Sequence, residues 1–161
     1  MITSLRTEGY PTGWAGYFWW GYSEQQINWL VTEAMTADND WNYVFLSHMG
    51  IIDANTAGSY KAKYGSELEA VIKAYQNKTR FKVDTIDAEK DFSATTGRIL
   101  VYHHGHEHME GTAYMQDLNL WKIMSPNANG DALRFDVVSA TDNAVYKFPV
   151  GFGAEQILEN K

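Results

Sequence analysis

Arg98-Ile99-Leu100-Val101-Tyr102-His103-His104-Gly105-His106-Glu107-His108 joins a short apolar run to a cluster that holds four of the chain's five histidines. An apolar run of this length, entered through Gly97 and left through polar residues, has the pattern of a strand buried on both faces. The fifth histidine, His48, follows a second run of the same kind, Asn42-Tyr43-Val44-Phe45-Leu46-Ser47. Two buried strands that each end in histidine predict a sheet with imidazoles gathered along one edge, where open α/β sheets place their ligands.

His106 and His108 are two residues apart, so on extended or turning backbone both rings face one side, and Gly105 permits a tight approach of the main chain. Neutral imidazoles suit Zn, Mn, Fe, Ni or Co. The chain has no cysteine, so thiolate ligands are excluded and the pattern points to an open site rather than a closed structural one. A lone histidine is more often a hydrogen-bonded core or surface residue. Three at the ends of adjacent strands favour the ligand reading, and His48, His106 and His108 are the candidate metal ligands. Strand alternation turns one of His103 and His104 to the packed side, which sets both behind the other three, and Glu107 points away from its neighbours.

Outward from these strands, Ser23-Glu24-Gln25-Gln26 fits a capping box, and Ile27, Leu30, Val31 and Ala34 repeat at helical spacing, so a helix is predicted from Glu24 to Ala37. Ser66-Glu67-Leu68-Glu69 reads as a second capping box, opening a helix over Glu67 to Gln76 with the stripe Leu68, Val71, Ile72 and Tyr75. Met1 to Leu5 is a short strand candidate. Asn77 to Thr96 is polar and charged and reads as an excursion or edge strand outside the core. Leu120 to Met124 is a strand closed by the turn Ser125 to Gly130, Leu133 to Ala140 pairs with Ala144 to Phe148, and the tail after Gly151 is peripheral. The order of elements gives an α/β (α+β) layering in a single domain over residues 1–161.

Gly9 to Tyr22 carries Tyr10, Trp14, Tyr17, Phe18, Trp19 and Trp20 among glycines and is read as a structured loop. Its aromatics suit a plug over a core edge, a stacking platform for sugars or bases, or a docking surface.

The composition, 45% apolar and 20% charged, is that of a soluble globular protein. No apolar run approaches the roughly 20 residues that span a bilayer, and Met1 to Arg6 has no secretory-signal pattern, so a soluble, cytoplasmic chain is the default expectation. A formal charge of -7 repels phosphate backbones, and direct nucleic-acid binding is not expected.

The helix opening Gly21-Tyr22-Ser23-Glu24-Gln25-Gln26-Ile27-Asn28-Trp29-Leu30, the strand end Phe45-Leu46-Ser47-His48 and Gly105-His106-Glu107-His108 together resemble the C-terminal half of calcineurin-like metallophosphoesterases. Phe135-Asp136-Val137-Val138 through Gly151-Phe152-Gly153-Ala154 resembles the closing hairpin of bacterial and phage members. The resemblance implies half of a layered α/β sandwich, with a mixed sheet flanked by helices and a C-terminal β-hairpin. It also implies that His48 and His106 bind one metal of a two-metal centre and His108 the other, with a small phosphoester as substrate.

The family's Asp-x-His, Gly-Asp and Gly-Asn-His-Asp/Glu motifs are missing in that order, since Gly130-Asp131 follows the histidines. The sequence thus reads as the C-terminal part of such a phosphoesterase, inactive alone, that needs an N-terminal half from another polypeptide or self-associates through the aromatic segment. The alternatives are a non-catalytic binding or assembly module that keeps its histidines as a vestigial metal site, and a mononuclear hydrolase on His48, His106 and His108. For the last, Asp53 is the base candidate by its nearness to His48 in sequence.

Overall fold

The computed structural model describes residues 2–5, 8–11, 18–36, 40–51, 63–105, 110–125, 135–140, 144–150 and 155–159. In chain order the elements are β1 (Ile2–Leu5), β2 (Glu8–Pro11), β3 (Phe18–Gly21), α1 (Glu24–Trp29) running into a π-helical turn (Leu30–Ala34), β4 (Tyr43–Ser47) and α2 (Gly65–Gln76). They continue with β5 (Arg80–Lys82), β6 (Glu89–Asp91), β7 (Ile99–His104), β8 (Gly111–Met115), a 3-10 turn (Gln116–Leu118), β9 (Leu120–Met124), β10 (Phe135–Ala140), β11 (Ala144–Val150) and β12 (Gln156–Glu159).

The main sheet has five strands in the order β1-β4-β7-β9-β8. The first four run parallel and β8 closes the edge antiparallel to β9. The two apolar runs at its centre are β4 and β7, as their composition predicts. β7 runs two residues past Tyr102, so His103 and His104 belong to the strand and pair with Leu46 and Ser47. The polarity of a histidine does not end a ladder when its neighbour strand continues.

Tyr43, Phe45, Ile99, Tyr102, Leu118 and Leu120 face one side, where Ile27, Leu30, Val31, Leu68, Val71, Ile72 and Tyr75 of the helices cover them. Val101 and Ile123 face the other side, against Val145 and Leu158 of a three-stranded antiparallel sheet, β10-β11-β12. The described helices therefore lie on one face, and a second sheet forms the third layer. The tail expected to be peripheral supplies β12, whose Leu158 is buried between the sheets and whose Glu159 carbonyl accepts a 2.9 Å bond from Trp121 Nε1.

At the start of α1 the capping box forms as predicted: the Gln26 amide donates to Ser23 Oγ at 3.2 Å and the Ser23 amide to Gln26 Oε1 at 3.0 Å. Ser23→Ala is expected to cost about 1 kcal/mol in equilibrium unfolding, whereas Gln25→Ala, at an exposed position, should cost a few tenths at most. After Trp29 the helix widens, with Met35 N donating to Leu30 O, and this π-helical turn keeps Leu30, Val31 and Ala34 all buried.

The second capping box does not form. Tyr64, in the left-handed region at φ 56, precedes a helix that already includes Gly65, and the Ser66 hydroxyl donates to Glu67 Oε2 instead. The pairing of Lys63 with Gly21, in which Tyr22 N donates to Lys63 O at 2.9 Å, brings the chain into the helix before Ser66.

Two further expectations change. The glycine- and aromatic-rich Gly9 to Tyr22 segment contains the antiparallel pair β2 and β3, with Tyr10 opposite Trp19, while residues 12–17, including Trp14 and Tyr17, lie outside the described residues. The 77–96 segment forms the hairpin β5-β6 and is not excluded from the core, since Phe81, Ile86 and Phe92 are all buried against the helices. Gly97 then enters β7 at a point where a Cβ would stand 2.0 Å from Trp41 O. The residues expected to turn at 126–130 and 141–143, and the segment 151–154, lie outside the described residues. None of the helices among the described residues is long and apolar enough to cross a membrane.

Candidate metal centre

Because β1, β4, β7 and β9 are parallel, their carboxyl ends share one edge of the sheet. The register sets Leu5, Ser47, His104 and Met124 side by side across that edge, and Gly111 of β8 pairs with Met124. Beyond this row the ladder continues by one residue: Gly105 N donates to His48 O at 3.2 Å and Ser125 N to His104 O at 2.9 Å. The exposed His48 ring lies over this extension, with Nδ1 3.9 Å from the position a Cβ on Gly105 would take.

His106, Glu107 and His108 follow directly and lie outside the described residues, as does Asp53. Among the described residues no group of three or more histidine, cysteine or acidic side chains could hold a metal ion. Among the described residues, His48 is the predicted ligand that stands at this edge. His48 presents an exposed imidazole beside Gly105, and imidazole nitrogens are donors of the type that bind divalent transition metals. The glycine is not required by sterics at this point, because a Cβ there would meet only ordinary contacts with His48.

His103 and His104 are engaged within the fold. His104 is 2% exposed on the helix-covered face, 6.0 Å from the Tyr102 ring, with Nδ1 3.1 Å from Gly105 O. His103, on the opposite face, bonds through Nε2 to Ser125 Oγ at 2.6 Å. Each ties β7 to the backbone or side chain beside it at the carboxyl edge.

Two features of the edge were not anticipated from the sequence. Beneath His48 the buried hydroxyls of Tyr22 and Tyr102 meet at 2.5 Å; Tyr22 also contacts Ser47 Oγ at 3.1 Å, and Tyr102 donates to Met49 O at 2.8 Å. These residues are distant in sequence, and tyrosine within an apolar run reads simply as core. On the other side, the fully buried Lys147 of β11 reaches Glu110 at 2.8 Å, where the histidine segment turns into β8. A lysine in an otherwise apolar strand was the available signal for that pair.

No protein-family model matches this chain, and no curated protein matches it. Among solved structures, the crystal structure of a dimetal phosphatase from Danio rerio is similar over 88% of this chain, with a TM-score of 0.59 and 14% sequence identity. The chain covers 39% of the length of that protein. In its mixed sheet, the helices described on one face and the C-terminal strands, the chain shares the fold of that phosphatase over the matched part.

Proposed function

We propose that this chain contributes the histidine-bearing half of a two-metal phosphoesterase centre, with His48, His106 and His108 as its ligands. The observation that carries the reading is the His48 imidazole standing over Gly105 at the shared carboxyl edge. Divalent cations held there supply Lewis acidity toward a phosphoester. The chain's own part is to fix three neutral imidazoles on two neighbouring strand ends. The bridging carboxylate and the leaving-group acid come from Asp-x-His, Gly-Asp and Gly-Asn-His-Asp/Glu motifs on residues outside this sequence, in the same polypeptide or another.

On this reading the isolated chain hydrolyses para-nitrophenyl phosphate and its bis ester weakly or not at all with added Mn2+. Purified chain carries transition metal in less than equimolar amount, and His106→Ala with His108→Ala removes it. Activity should appear on adding a polypeptide that bears the three motifs. Robust turnover by the chain alone, or two tightly bound metals per chain, would contradict the half-site.

A second reading, a non-catalytic assembly module, draws on the exposed apolar side chains Trp29, Trp41, Phe148 and Ile157. It requires a defined oligomer whose state is indifferent to metal and to the histidine substitutions.

A further inference from the structure

We propose that the groove between α2 and β5, which shares no residue with the candidate metal centre, binds an extended acidic peptide segment of a partner protein as a third strand beside β5. β5 and β6 form a two-stranded sheet, and one contact fixes its bonding pattern. Phe92 N donates to Thr79 O at 3.2 Å, and the register that sets Arg80 opposite Asp91 also sets Thr79 opposite Phe92. Opposed residues of an antiparallel pair alternate between bonded and non-bonded. Phe81 therefore bonds across to Lys90, whereas the peptide groups of Arg80 and Lys82 face away from β6, on a side where no described strand pairs with them.

That edge opens onto a cavity of about 310 Å3 against the side of α2, whose wall is kept low there by Ala70 and Ala74. Lys73, Arg80 and Lys82 also line it, all three exposed, and no carboxylate does, although the chain has a formal charge of -7. Glu89 of β6 reaches Arg80 at 2.6 Å and Lys82 at 3.4 Å, one carboxylate for two cations. Asp91, opposite Arg80, accepts from the Ser93 amide at 2.9 Å. Lys73 has no ion pair among the described residues.

Cations along an edge strand discourage pairing with a like strand. A second copy, presenting its own Arg80 and Lys82, is repelled, while an acidic strand is accepted. Main-chain bonds to an open edge supply affinity in strand addition, and alternate side chains supply specificity. Opposed residues share a face of the sheet, so acidic residues two apart lie beside Arg80 and Lys82, and a small apolar residue between them lies on the Phe81 face.

The probe is a blocked, fluorescein-labelled octapeptide of alternating glutamate and valine, titrated into the full chain and followed by anisotropy. Saturable binding tighter than about 1 mM is expected. Lys73→Glu and Lys82→Glu should each weaken it about tenfold, and Ala70→Leu, which fills the groove from a partly buried position, should abolish it. Methylating one alternate set of peptide amides should abolish binding and methylating the other should not, because a strand turns every second amide to each edge. The methylated peptides and Lys73→Glu, at an exposed site, carry the test if Ala70→Leu fails to fold by circular dichroism.

No saturable binding up to about 1 mM, or binding indifferent to both Lys73→Glu and Lys82→Glu, would overturn the proposal. Equal binding of the two methylated peptides, or of octathymidylate in place of the peptide, would reduce the groove to an anion site and overturn strand addition. A dimer of the chain in sedimentation that Ala70→Leu dissociates would give the groove to a second copy, also overturning it.

Discussion

Replacing Phe92 with alanine is expected to remove about 3–5 kcal/mol of folding free energy, a large share of the roughly 5–15 kcal/mol that stabilises a domain. Phe92 follows β6 in a segment whose charge and weak periodicity suggest a surface excursion, yet its ring is fully buried and meets Tyr75 of α2 edge to face at 5.2 Å. Tyr75 in turn meets Tyr43 of β4 at 5.3 Å and donates to Trp41 O at 2.8 Å. The aromatic stack thus connects the β5-β6 hairpin through the helix layer to the central sheet. Truncation at Phe92 would leave a cavity walled by residues from several elements, which cannot all collapse into it. Urea unfolding monitored by tryptophan fluorescence measures the loss; a change under about 1 kcal/mol would place the hairpin outside the cooperative core.

The second large effect is electrostatic. Glu110→Ala is expected to cost about 2–4 kcal/mol, because it removes a carboxylate from a lysine ammonium that cannot reach water. Lys147 is 0% exposed and Glu110 34%, so the partly solvated partner sets the loss below that of a wholly buried pair. Lys147→Met combined with Glu110→Gln removes the charge from the interior and keeps the volume, and it should recover most of the loss. The pair also has a position: it fastens the second sheet to the point where the chain returns from the histidine segment into β8. A double-mutant cycle by chemical denaturation checks this, and a single-variant loss below about 0.5 kcal/mol would show that other partners of Lys147 hold its charge.

The central strands and the α1 capping box were legible in the sequence because they depend on local rules: an uninterrupted apolar run, and a serine three residues before a glutamine. The failures arise where distant residues decide. Lys63 pairs with Gly21 and starts α2 ahead of the Ser66 box. Val145 and Leu158 find Val101 and Ile123, and so a tail that looks peripheral becomes the third layer. The weak alternation of Phe81, Val83 and Ile86 understated a hairpin that packs under two helices, since charged neighbours such as Arg80 and Glu89 pair with each other on its outer side.

At the candidate site, the placement of His48 just beyond a strand end was readable, as was the division of His103 and His104 between opposite faces. The contact between the Tyr22 and Tyr102 hydroxyls was not readable, because they come from positions 80 residues apart. Nor was the Lys147 and Glu110 pair, whose members lie 37 residues apart. Such groups are assembled by the sheet register and carry no local spacing.

The most direct test is a crystal grown with Mn2+ or Zn2+ and measured at the metal's absorption edge. The account predicts an anomalous peak at the carboxyl edge of the main sheet, with the imidazoles of His48 and His106 as ligands to one ion and any second ion held by His108. A fully occupied metal elsewhere, or a well-ordered His48, His106 and His108 with no anomalous signal between them at saturating metal, would contradict it.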